Sequence, residues 1–299
     1  MDYFKRLFKG KEQVPPDQAS TAPLDPMTLS EFVVDDIKPH ITTGTFQSIG
    51  EERESNDDSL LVLSGTAVSS DGLPDFALLC VADGLGGYEN GAKASAISVR
   101  SIAGSLTQGA ILDLLAPEPV RPSDSLDDMV KLAVERANRE VRAKAEGGAT
   151  TLTIAFVVGS EATIGHVGDT RAYRIDARGM HQLTKDHSLV QQLIDTGTIS
   201  EDEAEVHPQR NVLWNAIGKA IDVKVDVATH VFPPGSYLLI CSDGLWGEVP
   251  EERILKIVHE LEIPQLVSEA LVAEANKAGG PDNVTVVAAK FPEVPDGFE

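Results

Sequence analysis

Two apolar stretches of this chain end in the same way, at an Asp-Gly pair. FALLCVADG ends at Asp83 and Gly84, and YLLICSDG ends at Asp243 and Gly244. Both stretches have the composition of buried strands, where an unpaired carboxylate would cost much free energy or shift its pKa. An aspartate at the end of the strand avoids that cost, and the glycine behind it frees the backbone to turn. The pattern therefore predicts two buried strands that each present a carboxylate from a rigid support.

The composition favours a soluble globular protein in the cytoplasm. The 299 residues, 42% of them hydrophobic, are enough for a substantial core in one large domain or two small ones. No run of about 18 apolar residues occurs, and the first residues lack the apolar core of a secretory signal, so we expect no transmembrane segment. Cys80 and Cys241 lie within apolar strands, which favours buried reduced thiols over a disulfide.

The charge of the chain excludes one class of partner. It has 47 acidic and 25 basic residues, a formal net charge of −22. Nucleic-acid binding needs a basic surface, so we expect no nucleic-acid partner. Most of the excess acidic residues are expected on a solvated surface.

The order of the elements predicts the fold class. Apolar runs bounded by Gly, Pro or Asp are predicted as strands at 41–46, 60–63, 76–82, 151–158, 162–167, 172–175, 237–241 and 284–291. Helices are predicted at 91–115, 126–145, 188–195, 251–259 and 265–277, the second of them capped by Ser125 with Asp128. Two long helices in succession do not fit βαβ alternation. We therefore expect an α+β fold, a β-sandwich of two antiparallel sheets flanked by pairs of α-helices.

Three regions follow from the composition along the chain. Residues 1–40 begin basic and amphipathic and then become rich in Pro, Ser and Thr, which predicts a flexible N-terminal extension. Contact with a membrane surface or a partner is the alternative for this segment, although the basic part is short for an anchor. Residues 41–292 are predicted as the folded domain and 293–299 as a C-terminal tail.

A set of aspartates beside turns and strand ends indicates a metal site. Hard cations such as Mg²⁺ and Mn²⁺ prefer carboxylate and carbonyl oxygens, and converging carboxylates without a cation would repel one another. Each aspartate alone is compatible with a turn or cap, but the set predicts metal binding. Its members are Asp58, Asp83, Asp169, Asp243 and Asp282, with the carbonyl of Gly84 as a further oxygen.

Seven segments, in this order, resemble the metal-dependent protein phosphatases, in particular the bacterial type 2C-like serine/threonine phosphatases. The resemblance covers about residues 41–291, and the ordered set is specific although DG or GG alone is not. The segments are RESNDD, VADGLGG, GATT, HVGDTRAYR, TKDHSLVQQLIDTGTISEDEAEVHPQRNVLWNAIG, ICSDGLW and GGPDNVTVV.

The resemblance implies a site for two Mn²⁺ or Mg²⁺ ions at one end of the sandwich. By position, Asp83 would bridge the two ions and the Gly84 carbonyl would bind the second. Asp243 and Asp282 would hold the first ion. Asp169, together with Asp243, matches the position that holds a third, weaker ion in bacterial members.

The same resemblance implies the roles of Asp58 and Arg53 in phosphate-ester hydrolysis. Asp58 would contact the metals directly or through water, and Arg53 would grip the substrate phosphate with its planar fork of donors. Two ions about 3.5–4 Å apart can bridge a water and aim it at phosphorus. A surface salt bridge is the alternative for Arg53. We expect Arg53, Asp58 and Asp83 to act in catalysis.

The chain departs from the family pattern in three places. Leu85 stands where eukaryotic members carry a His proposed as general acid, so it cannot protonate the leaving group. Asp57 replaces the usual Glu of the Asn-Glu-Asp pattern and is one methylene shorter. The extension 1–40 lies outside the family core and inherits no role.

Two histidines near these motifs have structural interpretations. His166 lies on an apolar strand and is predicted as a packed, hydrogen-bonded residue. His187 lies in KDHSLV, at the start of the segment 186–218 that resembles the flap of the family, and either orients that flap or caps a helix. The flap is predicted to be mobile and to tune substrate choice and the affinity for the third ion.

Other aromatic and hydroxyl residues are assigned no chemistry from the sequence. Trp214 and Trp246 are predicted to pack in the core or between subdomains. Thr150 and Thr151 begin a strand, and their β-propensity accounts for them without catalysis.

The resulting hypothesis is a monomeric serine/threonine phosphoprotein phosphatase. It would hydrolyse phosphoserine and phosphothreonine in proteins that are substrates of a serine/threonine kinase, without a phosphoenzyme, since neither Cys-x5-Arg nor the Asp-x-Asp nucleophile pattern is present. One alternative is a pseudophosphatase or phosphoprotein-binding module of the same fold. The other is a metal hydrolase of small phosphate esters or nucleotides, which the missing Gly-x4-Gly-Lys loop disfavours.

Overall fold

The apolar runs of the sequence form strands that are buried on both faces. The computed structural model describes residues 39–66, 73–85, 90–116 and 125–293. In strand β3 (Phe76–Ala82), Leu78 and Cys80 face one hydrophobic core while Leu79 and Val81 face another. Because successive side chains of a strand point to opposite faces, burial on both sides gives the continuous apolar run seen in the sequence.

Two five-stranded antiparallel sheets make up the centre of the described part of the chain. The first has the order β1-β10-β9-β6-β7 and the second the order β2-β3-β4-β5-β8. Besides β3, the strands are β1 (Thr42–Ser48), β2 (Ser59–Gly65), β4 (Leu152–Val158), β5 (Glu161–Val167), β6 (Arg171–Asp176), β7 (Gly179–Gln182), β8 (Asp226–Val231), β9 (Tyr237–Cys241) and β10 (Val284–Lys290).

Pairs of helices cover the outer faces of both sheets. The helix pair α1 and α3 packs against the second sheet, and α7 and α8 pack against the first. A π-helical turn, Thr107–Ile111, joins α1 to the short α2. The helices are α1 (Gly91–Leu106), α2 (Leu112–Leu114), α3 (Leu126–Lys144), α4 (Leu189–Asp195), α5 (Glu201–Glu205), α6 (Asp243–Trp246), α7 (Glu251–Leu261) and α8 (Pro264–Ala278).

Three hydrophobic cores hold these four layers together. One lies between the second sheet and α1 and α3, and another between the first sheet and α7 and α8. The third lies between the two sheets, where Leu79 of β3 and Ile240 of β9 are both fully buried. The expected α+β sandwich with flanking helix pairs is confirmed.

The predicted elements agree with the structure except where they are short or polar. The sequence missed β7, β8, α5 and α6. Ser125 caps α3 as expected, since its hydroxyl accepts a hydrogen bond from the backbone N–H of Asp128. Both cysteines are buried free thiols, as predicted. No helix among the described residues is both long and apolar enough to cross a membrane.

Some predictions fall outside the described residues. Of the predicted extension 1–40, only Pro39 and His40 are described, and of the tail 293–299 only Glu293. The residues Gly86 and Gly87 of the VADGLGG motif are also outside the described ranges. These assignments stay predictions.

Candidate functional site

The fold brings the five predicted aspartates to one end of the sandwich. The start of β2 pairs with the end of β3, and the end of β9 pairs with the starts of β6 and β10. Each aspartate lies within two residues of one of these strand ends. Asp58 and Asp83 flank the β2–β3 pair, Asp169 lies between β5 and β6, Asp243 follows β9, and Asp282 precedes β10.

Both glycines of the Asp-Gly pairs are required by close backbone packing rather than by conformational freedom. A Cβ on Gly84 would lie 2.5 Å from the carbonyl oxygen of Asp57, and one on Gly244 would overlap the carbonyl of Asn283. Neither glycine has a positive φ. The sequence prediction placed these glycines correctly but gave the wrong reason.

Two threonines fix the backbone on either side of Asp83. The Thr151 hydroxyl accepts a hydrogen bond of 2.9 Å from the Asp83 N–H, and the Thr150 hydroxyl donates one of 2.7 Å to the Asp83 carbonyl. The backbone N–H and carbonyl of Thr150 also form hydrogen bonds with the carbonyl and N–H of Ile217, near the C-terminal end of the flap segment. β-Propensity does not by itself account for these threonines, because both hydroxyls also hold the backbone of Asp83 in place, while the expectation that they take no part in catalysis stays a prediction.

Asp58 is buried and held by two hydroxyl groups. Its Oδ2 accepts hydrogen bonds from Ser242 Oγ at 2.9 Å and from Thr285 Oγ1 at 2.6 Å. Ser242 also receives the backbone N–H of Thr285, so this pair joins the ends of β9 and β10 to Asp58. Sequence reasoning missed both hydroxyl residues, although each lies within two or three residues of a predicted metal ligand.

Burial, and after it mutual repulsion, raises the pKa values of four of the five carboxylates. Burial, followed by repulsion from Asp58 and Asp243, raises the pKa of Asp83 well above its usual value. Burial and then Asp243 do the same to Asp169. Burial raises the pKa of Asp58 to about 7 and that of Asp243 to about 6. The site is therefore electrostatically unfavourable for anions and favourable for cations.

The donor set fits hard divalent cations. The carboxylates of Asp83 and Asp243 are close enough for each to shift the pKa of the other, so ionisation of both is unfavourable without a proton or a cation between them. Among the residues that the structure describes, no three acidic, His or Cys side chains stand at the spacing of a complete metal cage. Asp58 and Asp282 accept hydrogen bonds from protein donors instead, so the five carboxylates lie close together without forming a closed metal cage.

Arg53 lies at the edge of this acidic cluster. Its guanidinium donates a hydrogen bond of 2.6 Å to Asp282 Oδ2, and this bond is the main reason that the pKa of Arg53 is raised. The side chain is 45% exposed, so the fork is accessible to a ligand from solvent.

Asn283 ties the loop that carries Arg53 to the end of β10. Its Oδ1 accepts the backbone N–H of Asp57, and its Nδ2 donates to the carbonyl oxygens of Ile49 and Ser55. Asn283 is 5% exposed, so these bonds are shielded from water. The sequence did not single out this residue, although it adjoins Asp282 in the GGPDNVT segment.

Trp246 and Arg171 hold the loop of Asp169. The indole Nε1 of Trp246 donates to the Asp169 carbonyl at 3.1 Å, and the Arg171 guanidinium stacks 3.6 Å from the Trp246 ring centroid. Arg171 also forms a forked ion pair with Asp186 at the start of the flap. Trp246 thus has a hydrogen-bonding role at the site beyond the predicted packing.

The remaining predicted residues have structural environments. His166 is buried, and its ring nitrogens contact Thr153 and the Lys185 carbonyl, which confirms the packed interpretation; burial lowers its pKa to about 3. Trp214 is 38% exposed, so it does not lie in the core, and its ring packs 4.8 Å from that of His187.

The two departures in the motifs lie beside Asp83 and Asp58. Leu85 is half-buried and donates its backbone N–H to the Ala149 carbonyl, so it serves only through its backbone and an apolar side chain. The Asp57 carboxylate accepts a hydrogen bond from Ser55, while its carbonyl accepts from Ser95 and from the N–H of Gly84.

Comparison with known proteins shows which family has this arrangement. The sequence profile described as Protein phosphatase 2C matches residues 52–273, which include four of the five aspartates and end within α8, before Asp282. The chain belongs to the protein phosphatase 2C family. The resemblance found in the motifs is thereby confirmed.

Individual members of the protein phosphatase 2C family match over most of the chain. The serine/threonine phosphatase stp of Listeria monocytogenes is 33% identical over 244 residues, 80% of this chain and 91% of that protein. The crystal structure of the Mycobacterium tuberculosis serine/threonine phosphatase PstP/Ppp superposes with a TM-score of 0.70 at 29% identity, covering 85% of this chain and 99% of that one.

A second solved structure is informative about metals. The catalytic domain of the serine/threonine phosphatase PstP in complex with two manganese ions gives a TM-score of 0.68 at 27% identity, covering 86% of this chain and 100% of that chain. The matched relatives are named phosphatases, which are enzymes, so the prediction of an enzyme is confirmed. The pseudophosphatase alternative gains no support from these matches.

Proposed function

We propose that this chain is a metal-dependent serine/threonine phosphoprotein phosphatase that removes phosphate from phosphoserine and phosphothreonine in proteins. The observation that supports this best is the convergence of five aspartates at one end of the sandwich, with Arg53 bonded at their edge. The names of the matched relatives support the reaction class.

The proposed metal ligands are carried over from the family resemblance onto carboxylates that lie together in this chain. We assign Mn²⁺ or Mg²⁺ to the oxygens of Asp83, Asp243, Asp282 and the Gly84 carbonyl, with Asp58 in contact directly or through water. Asp169 with Asp243 would hold a third, weaker ion. When bound, two such ions supply an activated water and neutralise charge on the phosphoryl oxygens.

The residues of the chain supply binding and orientation around that centre. Arg53 offers two donors to the phosphoryl oxygens in a fixed fork, which a lysine cannot do. Ser242 and Thr285 hold Asp58, while Thr150 and Thr151 hold Asp83, so the carboxylates need little reorganisation. Leu85 has no proton to give, so the leaving alkoxide would take its proton from water or from another group of the site.

Phosphate release from a phosphothreonine peptide tests the proposal. We expect turnover with Mn²⁺ and none above background after EDTA treatment. Asp243→Asn should abolish turnover, while the control Asp113→Asn, on the distant helix α2, should not change it. Equal turnover by Asp243→Asn and the wild type would overturn the proposal.

The same assay separates the alternatives. Metal binding by calorimetry without turnover on any phosphopeptide would indicate a pseudophosphatase. Faster turnover on a nucleotide or on a small phosphate ester than on the phosphopeptide would indicate a hydrolase of small molecules.

A further inference from the structure

His187 uses every polar atom it has to join three separate segments. Its backbone N–H donates to the Gly168 carbonyl at 2.6 Å, and its own carbonyl accepts the N–H of Trp214 at 3.0 Å. Its ring Nδ1 lies 3.2 Å from the N–H of Gly168 and 2.8 Å from Nδ2 of Asn215. Its Nε2 lies 3.0 Å from Asp226 Oδ2.

The partners of His187 determine its tautomer. The N–H of Gly168 can only donate, so Nδ1 must accept and the ring proton must sit on Nε2, from which it is donated to Asp226. Asn215 is oriented consistently, because its Nδ2 also donates to the Lys224 carbonyl and its Oδ1 accepts the N–H of Lys224. The ring is 2% exposed and lies between His166 and Trp214, at centroid distances of 5.0 Å and 4.8 Å.

These bonds connect the flap to the loop of Asp169. The flap, residues 186–218, leaves the sandwich at His187 and returns through Trp214 and Asn215, so both of its ends meet at this one side chain. Gly168, bonded twice to His187, directly precedes Asp169. His187 is not the helix cap, since Ser188 caps α4.

A second contact couples the same two segments from the other side. Asp186 pairs with Arg171, whose guanidinium stacks on Trp246, and Trp246 donates to the Asp169 carbonyl. The loop that carries Asp169 is therefore bonded to His187 at Gly168 and to Trp246 at the carbonyl of Asp169. A change in the position of the flap root would reach Asp169 through both contacts.

We propose that His187 is a positioning residue that fixes the Asp169 carboxylate to the root of the flap, so that flap position and metal affinity at Asp169 change together. The metal role of Asp169 rests on the proposed function, whereas the mechanical connection rests on the hydrogen bonds alone. His187 itself touches no reacting atom in this proposal.

Two substitutions of His187 each keep a different part of the hydrogen bonding of its ring. His187→Gln keeps a donor that can reach Asp226 but removes the acceptor beside Gly168. His187→Asn keeps an oxygen near the position of Nδ1 and loses the reach to Asp226. The first should release the Asp169 loop, and the second should retain it.

Hydrogen exchange in the absence of substrate measures the connection. In His187→Gln we expect faster exchange, by on the order of tenfold or more, in the Gly168 amide and in residues 186–218 together. In His187→Asn the Gly168 amide should stay near the wild-type rate. Faster exchange in the flap with an unchanged Gly168 amide, or no change in either segment, would overturn the proposal.

Manganese titration gives the functional readout. Calorimetry should show weaker binding of the weakest Mn²⁺ ion to His187→Gln by roughly 10- to 100-fold, with the tighter ions and His187→Asn near wild type. Equal weakening of all ions, or of none, would overturn the proposal. Lack of turnover by the wild type on phosphopeptide would instead overturn the proposed function, because neither exchange nor calorimetry requires turnover.

A half-exposed partner provides a third variant in case the buried ones fail to fold. Asp226→Ala removes the acceptor of the Nε2 proton and so loosens the outer side of the His187 ring, and Asp226 is 38% exposed. The same paired increase in exchange at Gly168 and in the flap is expected. An increase confined to β8 would show that His187 does not transmit the change.

Discussion

Replacing Asp58 by asparagine should stabilise the protein when divalent ions are removed. Asp58 is 8% exposed, and its Oδ2 accepts hydrogen bonds from Ser242 and Thr285. The oxygen of an asparagine can accept the same two bonds. The substitution therefore keeps the hydrogen bonds and removes a buried charge that Asp243 and Asp282 repel.

The size of the effect follows from the pKa of Asp58. Burial raises this pKa from 3.8 to about 7, so the folded state binds the proton more tightly than the unfolded state. Ionisation of such a group destabilises the fold, and stability falls as the pH rises from the unfolded pKa to the folded pKa. At about 1.4 kcal/mol per pKa unit, the cost is about 2 kcal/mol at pH 5 and about 4 kcal/mol at pH 8.

Urea unfolding in EDTA measures this difference. Asp58→Asn should exceed the wild type in free energy of unfolding by about 2 kcal/mol at pH 5 and about 4 kcal/mol at pH 8. Asp113→Asn, on the short helix α2, serves as the control and should be neutral. With saturating Mn²⁺ the order should reverse, because bound ions stabilise the wild type. Equal stability at pH 8 in EDTA, or a difference that does not grow with pH, would refute the reasoning.

Three further predictions concern the loop, the core and the flap. Asn283→Ala should raise KM for a phosphopeptide more than it lowers kcat, because it frees the loop of Arg53, and an unchanged KM would contradict this role. The lost hydrogen bonds should also lower the free energy of unfolding by about 1–3 kcal/mol. Leu78→Ala should lower the free energy of unfolding by about 3–5 kcal/mol, while Leu132→Ala, 52% exposed, should cost under about 1 kcal/mol. Deletion of residues 199–207 should change the peptide preference and the Mn²⁺ dependence of turnover. If neither changed, the predicted role of the flap in substrate choice and metal affinity would be wrong.

Much of the fold could be predicted because its central strands are buried on both faces. Burial on two sides requires a continuous apolar run, as in β3, β4, β9 and β10, and such runs stand out in a sequence. Strand β8 was missed because its residues are largely exposed or half-exposed and carry Asp226 and His230. Strand β7 has only four residues, too few for a periodic pattern.

The candidate site was predicted in its acidic residues but not in the residues that hold them. Aspartates at strand ends next to glycine are conspicuous, since a charge in that position is unusual. Hydroxyl and amide residues such as Thr151 and Asn283 are common throughout the chain, so their identity alone gives no signal. Their roles depend on which backbone groups lie opposite them.

The sequence by itself determined where the strands end, which of those ends carry carboxylates, and how acidic the chain is. These properties are local, because they depend on the apolar or charged character of neighbouring residues. Only the tertiary structure decided that Ser242 and Thr285 bond Asp58 across 184 and 227 residues of sequence, and that both ends of the flap meet at His187. Hydrogen bonds act over about 3 Å, so their partners are fixed by the packing of the sheets and not by the order of residues in the chain.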